Sequence, residues 1–140
     1  IFFMRIIEAM RYLGIDYGDR WIGLALGDDE TKIASPFLTF ENTGDVALIE
    51  LETIVMSEGI DAIVVGVPLN PGQSDEQEEK TRAFMRELGY RVLCPVKEFD
   101  ERFTSKEART HMREGGGDEH ALAAMLILQS YFDSSLTPNH

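Results

Sequence analysis

Three acidic clusters stand where oxygen ligands for a hard divalent cation could be gathered: Asp16 in Leu13-Gly14-Ile15-Asp16-Tyr17-Gly18, the pair Asp100-Glu101 before Arg102, and Asp118-Glu119-His120 before a long apolar segment. Each falls at the end of an apolar stretch, so each is expected at the end of a structural element. Mg²⁺ and Mn²⁺ take carboxylate ligands of this kind. Two such ions can clamp the attacking and leaving oxygens of a phosphodiester. The chemistry suggested is metal-assisted cutting of a nucleic-acid backbone, if folding brings the clusters together. His120 is the outlier: imidazole suits Mn²⁺ or Zn²⁺ better than Mg²⁺, and it could also act as a general base.

The elements that must position these groups follow from periodicity. Arg11 to Tyr17 and Trp21 to Gly27 read as paired strands, with Gly18-Asp19 supplying a left-handed turn between them. Leu13, Ile15 and Tyr17 share one face of the first strand, and Gly14, Asp16 and Gly18 the other. Glycines on either side of Asp16 cost strand stability, and a close ligand approach would justify them. Ile33 to Phe40 is a third strand, with Pro36 marking an edge or a bulge. Gly44 to Glu58 has helical spacing through Val46, Ile49, Ile54 and Val55, and Gly59 suits its stop.

Asp61 to Val67 is nearly all apolar and suits a central strand buried on both faces. Asp75 to Leu88 is an amphipathic helix expected to stop at Gly89, and Tyr90 to Val96 a further strand. Thr104-Ser105-Lys106-Glu107 is a capping box, which starts a helix running to about Glu114. Asp118 or Glu119 opens the last, largely buried helix, with Asp118 the natural cap. The order β-β-β-α-β-α-β-α-α implies an α/β fold: a mixed sheet flanked by helices.

The 140 residues fit one domain, with 1–10 and 134–140 peripheral or frayed. Hydrophobic residues make up 44%, enough for a core. Cys94 is the only cysteine, which excludes an intrachain disulfide and points to a reducing compartment; its apolar surroundings predict a buried thiol. No apolar run is long enough to span a membrane. The start lacks a secretory-signal pattern, with Met4 a candidate natural start behind Ile1 to Phe3, and the expected location is the cytoplasm. The net charge of -12 opposes nucleic-acid binding unless contact is local or cation-assisted. Basic residues flanking the clusters answer part of this objection. Arg20, Arg102 and Lys106 are candidate phosphate contacts. Asn70, in the loop beyond the buried strand, is another, because ligands bind past the carboxyl ends of such strands. Bland readings remain open beside these: a turn aspartate at Asp16, helix-start acids at Asp100 and Glu101, a solvated His120.

Four ordered motifs resemble the YqgF/RuvX family: Leu13 to Gly23, Val64 to Asn70, Asp100 to Ala108, and Ala121 to Phe132. The resemblance implies an RNase H-like mixed sheet of about five strands and divalent-metal-dependent hydrolysis of nucleic-acid phosphodiesters. It implies a role in 5′ maturation of 16S rRNA, with Holliday-junction resolution as the older proposal for the family. The family's first-strand aspartate matches Asp16. Its acidic pair matches Asp100 and Glu101, with Glu101 expected as ligand and Asp100 behind it, orienting a ligand. Its last-helix aspartate falls on His120. Three explanations compete there: His120 replaces the carboxylate and shifts preference toward Mn²⁺, Asp118 takes over, or activity is lost. The expected partner is nucleic acid, structured RNA ahead of branched DNA, and a homodimer is compatible with the sequence. A non-catalytic binding module of the same fold is the rival class. An ATP-binding fold of the actin/sugar-kinase kind ranks below it, since a chain this short lacks the second lobe.

Overall fold

A computed structural model of the chain describes residues 9–69, 72, 75–104 and 118–135. β1 (Arg11–Tyr17) and β2 (Trp21–Asp28) form the expected antiparallel hairpin, in register from Arg11 opposite Asp28 to Tyr17 opposite Ile22. β3 (Ala34–Glu41) pairs antiparallel with β2 as an edge strand, where the missing N–H of Pro36 is tolerated. The register slips between Leu24, opposite Leu38, and Ala25, opposite Pro36, so Phe37 is bulged out. α1 (Asp45–Ser57) leads to β4 (Ala62–Val67), buried at every position and parallel to β1. α2 (Glu76–Arg91) crosses to β5 (Val96–Asp100), parallel to β4. A 3-10 turn (Glu101–Phe103) follows, and α3 (Glu119–Ser135) closes the described chain. The sheet order is β3-β2-β1-β4-β5, a five-stranded mixed sheet as expected.

Two apolar layers hold the sheet. Leu13, Ile15, Ile22, Leu24, Ile63 and Val65 pack against α1 and α2 through Leu48, Leu51, Phe84 and Leu88. On the other face Tyr12, Ala25, Val64 and Phe99 pack against Ala124, Ile127, Leu128 and Phe132 of α3. Burying each large side chain is worth about 1.5–3 kcal/mol before entropy is counted. α3 therefore lies on the same side of β1 as Asp16.

Several local expectations are corrected. Gly89 does not stop α2, which continues to Arg91; a glycine stops a helix by taking positive φ, and Gly89 does not. The strand expected over Tyr90 to Val96 is displaced to Val96–Asp100, where the register with β4 places it. Leu93 is left fully exposed, and Cys94 sits half-buried in the bend between helix and strand, not in a strand core. In α1 the buried stripe is Ala47, Leu48, Leu51, Ile54 and Val55, while Val46 and Ile49 face solvent. Gly59 does end α1, at φ 62°, with Ile60 N–H donating to the Val55 carbonyl at 3.0 Å. Gly18 does not take a left-handed φ; a Cβ there would stand 2.9 Å from the Trp21 carbonyl oxygen, so close approach explains it. Met10, expected at the periphery, exchanges two hydrogen bonds with Asp29. Asn70, Lys106 and the helix expected beyond Thr104 lie outside the described residues.

Candidate active site

The local sequence of β1 explains why Asp16 sits where it does. Gly14, two residues earlier on the same face, touches α3: a Cβ there would lie 2.8 Å from Leu128 Cβ and 3.0 Å from the Ala124 carbonyl oxygen. This glycine seats the helix and opens no path for a ligand, which corrects the expectation from sequence. The gaps that matter lie sideways along the sheet. Asp16 is paired with Gly23 on β2, and one step past the last β1–β4 pair, Ile15 with Val65, Asp16 comes level with Gly66. Both lateral neighbours of the carboxylate therefore lack a side chain.

Each gap is occupied from above, over Gly23 by the main chain of His120 and over Gly66 by the Ile127 side chain with Glu101 beside it. Over Gly23 lies the first turn of α3, with the His120 carbonyl oxygen 2.0 Å from where a Cβ would stand. Over Gly66 lies Glu101, its Cγ 3.1 Å from the corresponding Cβ position, beside Ile127 Cδ1 at 2.4 Å. Glu101 thus leans from the end of β5 back across β4, one strand spacing, about 4.8 Å, from β1. His120 and Glu101 flank Asp16 over two glycines.

Electrostatics joins the first pair. Burial pushes the Asp16 carboxyl above the usual carboxylate range, and the nearby His120 pulls it partly back. The His120 ring is tilted 31° against Trp21 at 6.2 Å between centroids, and its Nε2 is 3.8 Å from Glu119 Oε1. A half-buried carboxylate whose charge is penalised would be stabilised by a compensating cation. Carboxylates and an imidazole suit Mn²⁺ in kind. Among the described residues, however, no three His, Cys, Asp or Glu side chains are grouped closely enough as they lie to hold a metal ion.

The remaining candidates are partly committed elsewhere. Asp118 caps α3, accepting from the N–H of His120 at 3.0 Å and of Ala121 at 3.4 Å. The Thr39 hydroxyl beside it is the main influence holding its carboxyl below the usual range, although Thr39 Oγ1 is outside strict hydrogen-bond geometry. Asp100 is gripped by Arg102, whose Nη2 is 2.6 Å and Nε 2.9 Å from Oδ2, and its carboxyl is lowered accordingly. Asp100 and Arg102 are thus each other's partner. Arg20 makes no ion pair among the described residues, and its guanidinium carbon lies 5.6 Å from the Trp21 ring centroid.

Sequence reasoning missed Trp21, and quoted Gly23 and Gly66 only as parts of motifs. A signal was present: Gly23, Ala25 and Gly27 alternate with Ile22, Leu24 and Leu26, so beyond Trp21 one face of β2 carries only small residues. Such a face admits a helix at close range, and that helix is α3, with Phe132 2.7 Å from a Cβ at Gly27.

Comparisons with known proteins bear on the family and the fold. A family model described as RuvX, Holliday junction resolvase, matches residues 10–134. A Chloroflexus aggregans protein with the provisional name pre-16S rRNA nuclease is 34% identical over 135 residues, covering 90% of this chain and 95% of the relative. An Anaeromyxobacter protein of the same provisional name is 37% identical over 133 residues, covering 89% and 97%. Among solved structures, Thermus thermophilus RuvC bound to a Holliday junction superposes with a TM-score of 0.66 at 14% identity, covering 91% of this chain and 96% of that one. Fowlpox virus resolvase with junction DNA gives 0.59 at 12% identity, covering 91% and 100%. At such identities these structures establish the fold, which is RNase H-like. The aspartate on the first strand, the acidic turn after the last strand and the small-faced hairpin under the final helix thus lie within a full-length sequence match, and the chain belongs to the RuvX family.

Proposed function

We propose that the chain is a divalent-metal-dependent nuclease that hydrolyses phosphodiesters in structured RNA, acting in the cytoplasm in 5′ maturation of 16S rRNA. The observation that carries this reading is the row Gly23–Asp16–Gly66, with the His120 main chain seated over one glycine and Glu101 beside the other, around a carboxylate whose charge is penalised by burial and favoured by His120. Asp16 and Glu101 would hold the cation, and His120 is the favoured third donor. Asp118 ranks behind it, because its Oδ1 is already used to cap α3. When bound, Mg²⁺ or Mn²⁺ supplies stabilisation of the charge that develops on the phosphoryl and leaving oxygens.

The chain's own residues do the rest. The first turn of α3, pressed onto Gly23, fixes the height of His120 above the sheet. Trp21 restricts the imidazole by lying beside it. Asp100 holds Arg102 and, by accepting from the Arg102 N–H at 2.9 Å, shapes the turn that carries Glu101. Arg20 is available for a substrate phosphate, and Asn70 and Lys106 are proposed as further contacts. On a chain of net charge -12, these cations and the bound metal must make attraction local. No helix among the described residues is long and apolar enough to cross a membrane.

The test is cleavage of a 5′-extended 16S precursor fragment and of a four-way DNA junction, with Mg²⁺, Mn²⁺ or chelator. Shortening of the RNA with either metal, faster with Mn²⁺ and absent with chelator, is the expected result. Failure to cut either substrate, or cutting indifferent to chelator, refutes the reading. The family description favours junction resolution as a second reading; paired nicks in the junction with the RNA left intact would establish it instead.

A further inference from the structure

Trp21 opens β2 at the same end of the sheet as Asp16. It shares a face with Gly23, two residues on, so it is the diagonal neighbour of Asp16, about 7–8 Å away. Its ring leans on His120, yet the residue keeps 37% of its surface exposed. Arg20 lies over the indole at 5.6 Å. Arg11, Arg82, Arg91 and Arg102 are all engaged by carboxylates, whereas Arg20, like Arg86 on α2, is in no ion pair among the described residues. The comparable pair on the other flank, Arg102 near Phe103 at 6.0 Å, has its charge neutralised by Asp100. An exposed indole beside an uncompensated guanidinium, one diagonal from the central carboxylate, is what a single nucleotide can use: a π-face for its base and a cation for its phosphate.

We propose that Trp21 is a stacking platform for an unpaired nucleobase adjoining the scissile phosphate, with Arg20 contacting that nucleotide's phosphate. This deepens the nuclease reading and rests on it by narrowing the substrate to one that presents single-stranded nucleotides at the site. Bases inside a duplex are already stacked and offer no free face to a side chain. The bland alternative is that Trp21 only covers the first turn of α3.

Trp21 is the sole tryptophan of the chain, so its emission reports on this position alone. The experiment titrates the full chain, in chelator, with a 12-nucleotide uridine oligomer, a 12-nucleotide thymidine oligomer and a 12-base-pair blunt duplex. The expected result is saturable quenching by the single strands and little by the duplex, the two oligomers telling RNA preference from DNA preference. Trp21→Leu should weaken single-strand binding about 5- to 150-fold, and Trp21→Phe, which keeps a ring, by less. Arg20→Gln should make the salt dependence shallower by about one phosphate contact. Single-strand binding that leaves Trp21 emission unchanged overturns the proposal, as does wild-type affinity in Trp21→Leu or quenching by the duplex alone. If Trp21→Leu misfolds, quenching in the wild type and affinity in Trp21→Phe still decide. The two readings fail separately. Cleavage lost in Asp16→Asn with wild-type binding in Trp21→Leu removes the platform alone. Failure of the wild type to cut either substrate, with single-strand quenching intact, removes the nuclease assignment alone.

Discussion

Gly23→Ala adds one methyl group at the contact between β2 and α3. The new Cβ would stand 2.0 Å from the His120 carbonyl oxygen and 2.3 Å from its carbon, against an ordinary contact of 3.4 Å, so the helix backbone must retreat by about 1.4 Å. No rotamer change relieves a clash with backbone. Nor can α3 slide freely, because it is pinned further along at Gly14 by Leu128 and at Gly27 by Phe132. Overpacking of this kind costs about 1–3 kcal/mol. For a domain of this size that lowers Tm by roughly 3–10 °C. Displacing His120 by more than 1 Å should also cost about 100-fold in cleavage rate if it acts beside Asp16. Thermal melting and cleavage of the RNA precursor read the two effects. Gly66→Ala is the contrast, since its obstacles are side-chain atoms of Ile127 and Glu101, which can turn away. It should melt closer to wild type while losing activity through Glu101. A Gly23→Ala protein with wild-type Tm and wild-type rate would refute the packing of α3 on β2 and the placement of His120 together.

Three further outcomes follow from the same structure. Because burial raises the Asp16 carboxyl above its unfolded value near 3.9, metal-free wild type carries a destabilising charge above the folded pKa that is relieved as pH falls toward that unfolded value; the stability advantage of Asp16→Asn at pH 7 should shrink over this window in denaturant titrations, and a constant difference would contradict the assignment. Gly89→Ala, in a helix with open space and no positive φ, should stabilise by about 0.4–1 kcal/mol, whereas Gly59→Ala, at φ 62°, should destabilise by about 1–2 kcal/mol; equal signs would contradict the α1 and α2 boundaries. His120→Asp should improve Mg²⁺-supported cleavage, and His120→Ala should impair Mn²⁺-supported cleavage more than Asp118→Ala, whose own cost is a lost cap of about 1 kcal/mol; the reverse ranking would make Asp118 the third donor.

Where sequence reading succeeded, local chemistry left few alternatives. The run Ala62-Ile63-Val64-Val65 has no polar face and can only be a central strand, and Pro36 can sit only where no N–H is needed. Ordered motifs then identified the family. Where it failed, the deciding interaction was distant in sequence. Gly89 looks like a stop, but whether a glycine ends a helix depends on the φ that later packing imposes, and β4 sets where β5 begins. Cys94 was placed in a strand core for the same reason. At the site, Asp16, Glu101 and His120 were legible as residue types, but the packing that sets them around two glycines was not. Gly23 and Gly66 act by omission, and the omission has meaning only once the register places both beside Asp16. The mutual pairing of Asp100 and Arg102 depends likewise on how the turn after β5 closes.

The central claim is that Asp16 is a half-buried carboxylate kept for a divalent cation at the cutting centre. Asp16→Asn keeps the side chain's shape and removes its charge, and the decisive measurement is cleavage of the 5′-extended 16S precursor by this variant in Mg²⁺ and in Mn²⁺, with melting followed on the same sample. The account predicts no cleavage with either metal, a Tm in chelator at or above wild type, and no gain in Tm when metal is added. Cleavage by folded Asp16→Asn at the wild-type rate would contradict it.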